Sequence, residues 1–143
     1  MGGMKASLAF FVMITFISAT ISRAQKTTTV VIRNDLEGGL TLEHHCKSGD
    51  DDLGFGTLAP GESWSFGFKP DIFGRTLFFC KFSWENGSHY FEIYKQSRDK
   101  EFKEFGCRRC EWKIRKQGPC KLINKTPKFF DLWYESLGSN SNV

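Results

Sequence analysis

The sequence predicts an all-β fold, a single-domain antiparallel β-sandwich of seven to eight short strands stabilised by disulfides. Three observations carry that prediction. Apolar and polar residues alternate with period two in segment after segment, and turn-forming pairs such as Gly38-Gly39, Pro60-Gly61, Asn86-Gly87 and Gln117-Gly118 recur between them. Bulky core material is plentiful, with 15 Phe, 4 Trp and 3 Tyr in 143 residues. Five cysteines are spread along the chain, and no repeat or shift in composition divides it. One domain over residues 25–137 is the expectation.

The N-terminus reads as a secretory signal peptide over residues 1–24. Lys5 supplies the positive start, and Leu8–Ile21 is an apolar run of 14 residues broken only by Thr and Ser. Ser22-Arg23-Ala24 then offers small residues where a signal peptidase tests them, with cleavage before Gln25. A membrane anchor needs roughly 20 apolar residues, so the run is too short to span. The mature chain is therefore expected to be secreted and extracellular, without stable membrane insertion.

Thr27–Arg33 is β-branched almost throughout, which favours a pleated backbone over a helix. Leu40–Cys46 follows, with Leu42, His44 and Cys46 on one face. Ser48–Asp52 is a polar turn, Leu53–Leu58 a Gly-punctuated extended piece, and Glu62–Phe68 a strand presenting Trp64, Phe66 and Phe68 together. Arg75–Tyr94 is the strongest local signal. Phe78, Cys80, Phe82 and Trp84 share one face, and Asn86-Gly87 suits a type I′ turn in which both central residues need positive φ. After the turn, Phe91 and Ile93 oppose Tyr90, Glu92 and Tyr94.

Beyond this hairpin, Ser97–Gly106 holds six charges in ten positions and reads as a solvated loop or frayed helical turn. Cys110–Arg115 is a strand with Cys110, Trp112 and Ile114 inward. Gln117-Gly118 is a tight turn, Cys120–Asn124 the returning strand, and Lys128–Leu137 a final aromatic strand. The small polar tail 138–143 is expected to be disordered.

Composition excludes some functions. Without Lys5 and Arg23, 18 basic residues face 16 acidic ones, a net of +2 with no basic stripe, so nucleic acid is not an expected partner. His44 and His45 are neighbours on one strand and point to opposite faces, and no nucleophile or phosphate-cradling motif is present, so no catalytic residues are assigned. Asp50-Asp51-Asp52 lacks the alternating ligands and terminal Glu of a calcium loop. A zinc site would have to combine Cys107 and Cys110 with His44, His45 or Cys46, and export through an oxidising compartment works against free thiolates. Neither a metal nor another cofactor is expected.

The order of blocks resembles a known family. His45–Gly54 (HCKSGDDDLG), Thr76–Cys80 (TLFFC), the Cys107-x-x-Cys110-x-Trp112 spacing and Gly118-Pro119-Cys120 are similar to the plant self-incompatibility protein S1 family, also called S-protein homologues. The resemblance runs from about Thr27 to Tyr134. It implies a small secreted disulfide-bonded β-sandwich acting as a recognition or signalling ligand at a plasma-membrane receptor on a plant cell, not an enzyme. Where members with the GPC-type cysteine carry a further cysteine in a D-x-C-Y context, this chain reads Asp131-Leu132-Trp133-Tyr134.

An odd cysteine count in an exported chain leaves one thiol over. Five choices of the odd cysteine and three pairings of the rest leave 15 arrangements of Cys46, Cys80, Cys107, Cys110 and Cys120. If Trp133 stands in place of a bridge partner, as the resemblance implies, Cys120 is the unpaired thiol, and an odd thiol would permit a disulfide-linked dimer. A redox reading of Cys107-Arg108-Arg109-Cys110 fits less well, because the motif runs into a strand and not into a helix.

Two N-glycosylation sequons, at Asn86 and Asn124, lie at strand ends. Recognition is expected to reside in the charged loops Ser48–Asp52, Glu85–His89 and Arg98–Glu104. Within them Asp50, Asp51, Asp52, Arg98, Asp99, Lys100, Glu101, Lys103 and Glu104 are the candidate contact residues. A secreted defence protein acting directly on microbial membranes is the alternative, and a secreted hydrolase a weaker third.

Overall fold

The computed structural model describes residues 26–130 and residue 133, so the leader, most of the expected last strand beyond Phe130 and the polar tail lie outside the described residues. Among the described residues, nine strands and one helical turn follow in order. They are β1 (Thr28–Asn34), β2 (Leu42–Lys47), β3 (Asp52–Leu58), β4 (Ser63–Phe68), β5 (Leu77–Trp84), β6 (Gly87–Lys95), α1 (Gln96–Asp99), β7 (Arg109–Arg115), β8 (Gly118–Ile123) and β9 (Thr126–Phe129). They form a five-stranded sheet in the order β4-β1-β7-β8-β9 and a four-stranded sheet in the order β3-β2-β5-β6. Every pairing is antiparallel except β1 with β7, which run parallel.

The two inner faces close over one core. Val30 and Ile32 from β1 and Cys110, Trp112 and Ile114 from β7 meet Leu42 and Cys46 from β2 and Phe78, Cys80 and Phe82 from β5. Trp64, Phe66 and Phe68 on β4 form a ladder that continues to Phe78 and Tyr94 in the facing sheet. His44 joins this ladder, with its ring centroid 4.4 Å from that of Trp64. Opposite His44 stands Gly56, where a Cβ would lie 2.6 Å from the imidazole, so only glycine leaves room for the ring. Burial, then the neighbouring His45, pushes the His44 pKa down, which keeps the core imidazole neutral.

Three local expectations are corrected. The hairpin loop between β5 and β6 is Glu85-Asn86, because Trp84 pairs with Gly87, and of the two only Asn86 has positive φ. Gly87 serves space instead: a Cβ there would overlap the Trp84 indole. The β7–β8 loop moves in the same sense, with Arg115 paired to Gly118 around Lys116-Gln117. The left-handed pair of a type I′ turn occurs at Asn124-Lys125, with φ of 50° and 65°, between β8 and β9.

Tyr94 is the second correction. Simple alternation points it outward, but it is buried. Phe78 pairs with Tyr94 whereas Cys80 pairs with Phe91, so β6 carries one residue more than β5 over this step. That β-bulge resets the phase and brings both Phe91 and Tyr94 to the core. The last described strand is the third. It begins at Thr126, before the expected Lys128, and runs to Phe129, with residues 131, 132 and 134–137 of the expected strand outside the described residues; Trp133 is buried against Phe82, Trp84, His89 and Phe91.

Cys46 is bonded to Cys80, directly opposite it in the β2–β5 pairing, and Cys107 to Cys110. Cys120 is outside both bridges and only 1% exposed. A disulfide-linked dimer through this cysteine would require the buried thiol to be uncovered first. Burial also raises the Cys120 pKa, with the Arg115 charge opposing and Asp35 adding to the rise. Native protein is therefore expected to take up no iodoacetamide at neutral pH, and one equivalent once unfolded in denaturant without reductant; mass spectrometry reads the count.

Candidate recognition surface

Strand directions sort the loops into two groups. β1 and β7 start, and β4 and β8 finish, at the same end of the five-stranded sheet. β5 follows β4 across the short connection 69–76, and Phe68 packs on Phe78, so β5 starts at that end too. β2 and β6 are antiparallel to β5 and finish there. One end thus collects Lys26, the turn 48–51, the connection 69–76 and the segment 96–108. The opposite end holds the connections 35–41 and 59–62, the loop Glu85-Asn86 and Trp133. Two of the three expected recognition loops, Ser48–Asp52 and Arg98–Glu104, are brought together. Glu85–His89 lies at the far end.

The segment 96–108 is held by a buried ionic knot. Asp99 is wholly buried, and its carboxylate accepts hydrogen bonds from Lys121 Nζ at 2.6 Å, from Arg98 Nη2 at 2.7 Å and from the Lys95 amide at 2.9 Å. Lys121, from β8, donates a further bond to the Phe105 carbonyl at 2.8 Å, and Arg98 donates one to the Glu92 carbonyl at 2.8 Å. The Arg98 guanidinium also lies 5.3 Å from the ring centres of both Phe91 and Trp112. Burial opposes ionisation of Asp99, but the bonds from Arg98, Lys121 and the Lys95 amide outweigh it and hold the carboxyl below its usual range.

This overturns part of the expected contact set. Asp99 cannot touch a partner, and Arg98 is largely committed to it; both are positioning residues and not solvated loop charges. Lys100, Glu101, Lys103 and Glu104 are exposed, as are Asp50, Asp51 and Asp52. Asp52 accepts the Gly54 amide and lies 2.6 Å from His45 Nε2, while Ser48 Oγ accepts the amides of Asp50 and Asp51. The turn 48–51 is thereby fixed by backbone bonds, with the Asp50 and Asp51 carboxylates left to solvent.

Gly106 closes the segment where it folds back on itself. A Cβ there would overlap the Lys100 carbonyl oxygen and come within 2.9 Å of the Glu101 carbonyl. Gly106→Ala is expected to shift the 100–106 loop and cost about 1–3 kcal/mol, read as a lower urea midpoint at unchanged slope. Just beyond, the Cys107 amide bonds to the Asp99 carbonyl at 3.0 Å and its sulfur is tied to Cys110 at the start of β7.

The connection 69–76 is ordered from the same quarter. Gln96 donates to the Asp71 carbonyl and accepts from the Thr76 amide, the Asp71 amide donates to Thr76 Oγ1, and Arg75 Nε lies 2.9 Å from Asp71 Oδ2. Two recesses open beside it. One, of about 420 Å³, runs between Lys26, Pro70, Ile72, Lys100, Phe102 and Arg108. A wider one of about 1020 Å³ lies between the Ser48–Asp51 turn and Lys69, Arg75 and Phe79. Ile72 and Phe102, which line the smaller recess, stand 71% and 88% exposed, and Phe73 on the same connection as Ile72 stands 73% exposed. Sequence reasoning missed Lys26, Ile72, Phe73, Phe102 and Arg108. The signal that could have found Ile72 and Phe73 was an apolar pair inside the polar turn from Pro70-Asp71 to Gly74; Lys26, Phe102 and Arg108 carried none.

The three histidines are dispersed. His44 lies in the core, His45 on the outer face beside Asp52, and His89 at the far end stacked on Trp133 at 4.7 Å. Among the described residues no group of three or more potential ligands could hold a metal ion. Asn86 and Asn124 are both exposed, at opposite ends of the sandwich.

Residues 29–135 match the family model of plant self-incompatibility protein S1. The chain belongs to that family. Among its S1-family relatives, S-protein homolog 2 of Arabidopsis thaliana is 47% identical over 91% of this chain and 93% of its own length. S-protein homolog 3 of the same plant is 46% identical over 77% of this chain and 73% of its own. A solved structure of SPH (self-incompatibility protein homologue) proteins, described as small, highly stable and secreted from plants, aligns with a TM-score of 0.57. At 24% identity it covers 76% of this chain and 96% of that one, and shares the fold.

Proposed function

We propose that this S1-family protein is a secreted plant ligand for cell–cell recognition, cleaved from its leader before Gln25 and acting on a plasma-membrane receptor through the end that carries Asp50, Asp51, Ile72, Phe73, Lys100 and Phe102. The description of SPH proteins as secreted supports an extracellular site of action. The single observation that carries the reading is the surface itself. Exposed apolar side chains stand among charged loops, and those loops are fixed by Gln96, the Asp99 knot and a disulfide. Exposed apolar residues on a preordered frame are what a protein interface needs, since little ordering entropy remains to be lost on binding.

The test is saturable binding of the tagged mature chain, residues 25–143, to intact plant cells, followed by proximity labelling. Ile72→Ser/Phe73→Ser/Phe102→Ser is expected to abolish saturable binding while leaving the thermal midpoint unchanged. Equal binding by the triple variant overturns the assignment of this end. The same exposed trio gives some support to a second reading, direct action on membranes in defence. Leakage from receptor-free liposomes would favour that reading over a receptor.

A further inference from the structure

We infer that the recess between the connection 69–76 and the segment 100–108 is a binding site for an extended acidic peptide segment in which carboxylates alternate with large apolar side chains. This inference rests on the receptor reading above and specifies the partner's chemistry. The recess of about 420 Å³ is of a size to take one or two side chains, not a whole domain.

Its lining is mixed: Pro70, Ile72 and Phe102 are apolar, and Lys26, Lys100 and Arg108 are cationic. The acidic groups present are already matched: Asp71 is held by Arg75 at 2.9 Å, and Glu101 lies 4.0 Å from Arg108. Among the described residues, no ion pair involves Lys26 or Lys100. Behind the wall, Asp99 stands against both Arg98 and Lys121, so the knot adds one further net positive charge. A carboxylate entering here gains two uncommitted ammonium groups without displacing an existing partner, and a neighbouring apolar side chain covers Phe102 and Ile72.

The turn beside the second recess carries the opposite sign. Asp50 and Asp51 are exposed with no ion pair among the described residues. The loop end thus sets Lys26 and Lys100 at one recess and the carboxylates of Asp50 and Asp51 on the rim of the other, across from Lys69 and Arg75. A partner binding the cationic recess is thereby oriented, because reversing it would set like charges together. A uniformly anionic lipid surface fits this arrangement less well, since it would meet Asp50 and Asp51 as well as the lysines.

The experiment is a titration of the isotope-labelled mature chain, residues 25–143, with three capped synthetic decapeptides, read by amide chemical shifts. One alternates Glu with Leu and Phe, one has every Glu replaced by Lys, and one has every Leu and Phe replaced by Ser. The first is expected to move the amides of Lys26, Ile72, Lys100 and Phe102, in a salt-sensitive way, and the other two to bind at least about tenfold more weakly. Lys26→Glu/Lys100→Glu, both at exposed positions, should reduce affinity for the first peptide by about tenfold or more.

Equal binding of the lysine peptide, shifts confined to Asp50 and Asp51, or unchanged affinity of the double variant would overturn the inference. So would stronger capture by phosphatidylserine vesicles than by the first peptide. Failure here separates from failure of the receptor reading. Cells that bind the wild-type and double variant alike sink only the peptide site. Peptide binding with no saturable cell binding sinks only the receptor.

Discussion

Asp99→Ala is expected to destabilise the fold by about 3–5 kcal/mol, enough to take a large part of the stability of a domain this size. The substitution strands Lys121, whose side chain is 1% exposed and keeps only the Phe105 carbonyl once the carboxylate is gone. It also removes the acceptor of the Lys95 amide at the start of α1. Most of the loss is the uncompensated buried ammonium and not the worth of the pair. The paired change Asp99→Asn/Lys121→Met should therefore recover a large part of it, because the amide oxygen still accepts from the Lys95 amide and the buried ammonium is gone, while Arg98, 21% exposed, loses its counter-ion but keeps the Glu92 carbonyl. Denaturant midpoints of the two variants against wild type decide the matter. Similar loss in both would mean that the knot stabilises through its charges after all.

The same carboxyl sets the acid limit. Its pKa is below the unfolded value of about 3.9, so its stabilisation is fully present above that value. It is lost as pH falls through the lower folded value, where the folded chain at last takes up the proton. His44 acts earlier and with the same sign. Folding lowers its pKa from 6.5, so below that pH the unfolded chain binds a proton that the buried ring refuses. Unfolding free energy against pH should be flat between about 7 and 8, decline as pH falls below about 6.5 and fall again below about 4. His44→Gln should remove the first decline and leave the second.

The charge run Ser97–Gly106 shows why this part of the molecule was hard to read from sequence. Six charged residues in ten ordinarily mean solvent, and five of the six do face it wholly or in part. Asp99 is turned inward by Lys121, 22 residues later on β8, and nothing local to either residue announces the pairing. The inner faces were legible because alternation is a local property. Leu42, Cys46, Phe78, Cys80, Phe82, Cys110, Trp112 and Ile114 all lie where period two puts them. Alternation failed at Tyr94, where one inserted residue resets the phase and leaves no mark on the sequence. Turn chemistry named the right neighbourhoods but was one residue late at Gly87 and Gly118. At Gly87 the glycine was required by the Trp84 ring and not by φ.

The two bridges should differ in what they contribute. Cys46 and Cys80 are 34 residues apart in sequence, and Cys107 and Cys110 only 3. Loop-closure entropy then makes the first worth about 4 kcal/mol and the second about 2 kcal/mol through restriction of the unfolded chain. Cys46→Ala/Cys80→Ala also removes two fully buried sulfurs from facing positions on β2 and β5, so a loss of about 4 kcal/mol or more is expected, with broad native resonances throughout the core. Cys107→Ala/Cys110→Ala should cost about half as much. Its disturbance should be limited to the segment 100–108 and the core positions around Cys110, because the Cys107 amide remains bonded to the Asp99 carbonyl and the knot still holds the far side of that loop. Calorimetry gives the two losses and amide shifts their extent. If the short bridge proved the costlier, it would be acting on the folded loop end and not on the unfolded chain. The recess beside Arg108 would then depend on the oxidised cysteines directly.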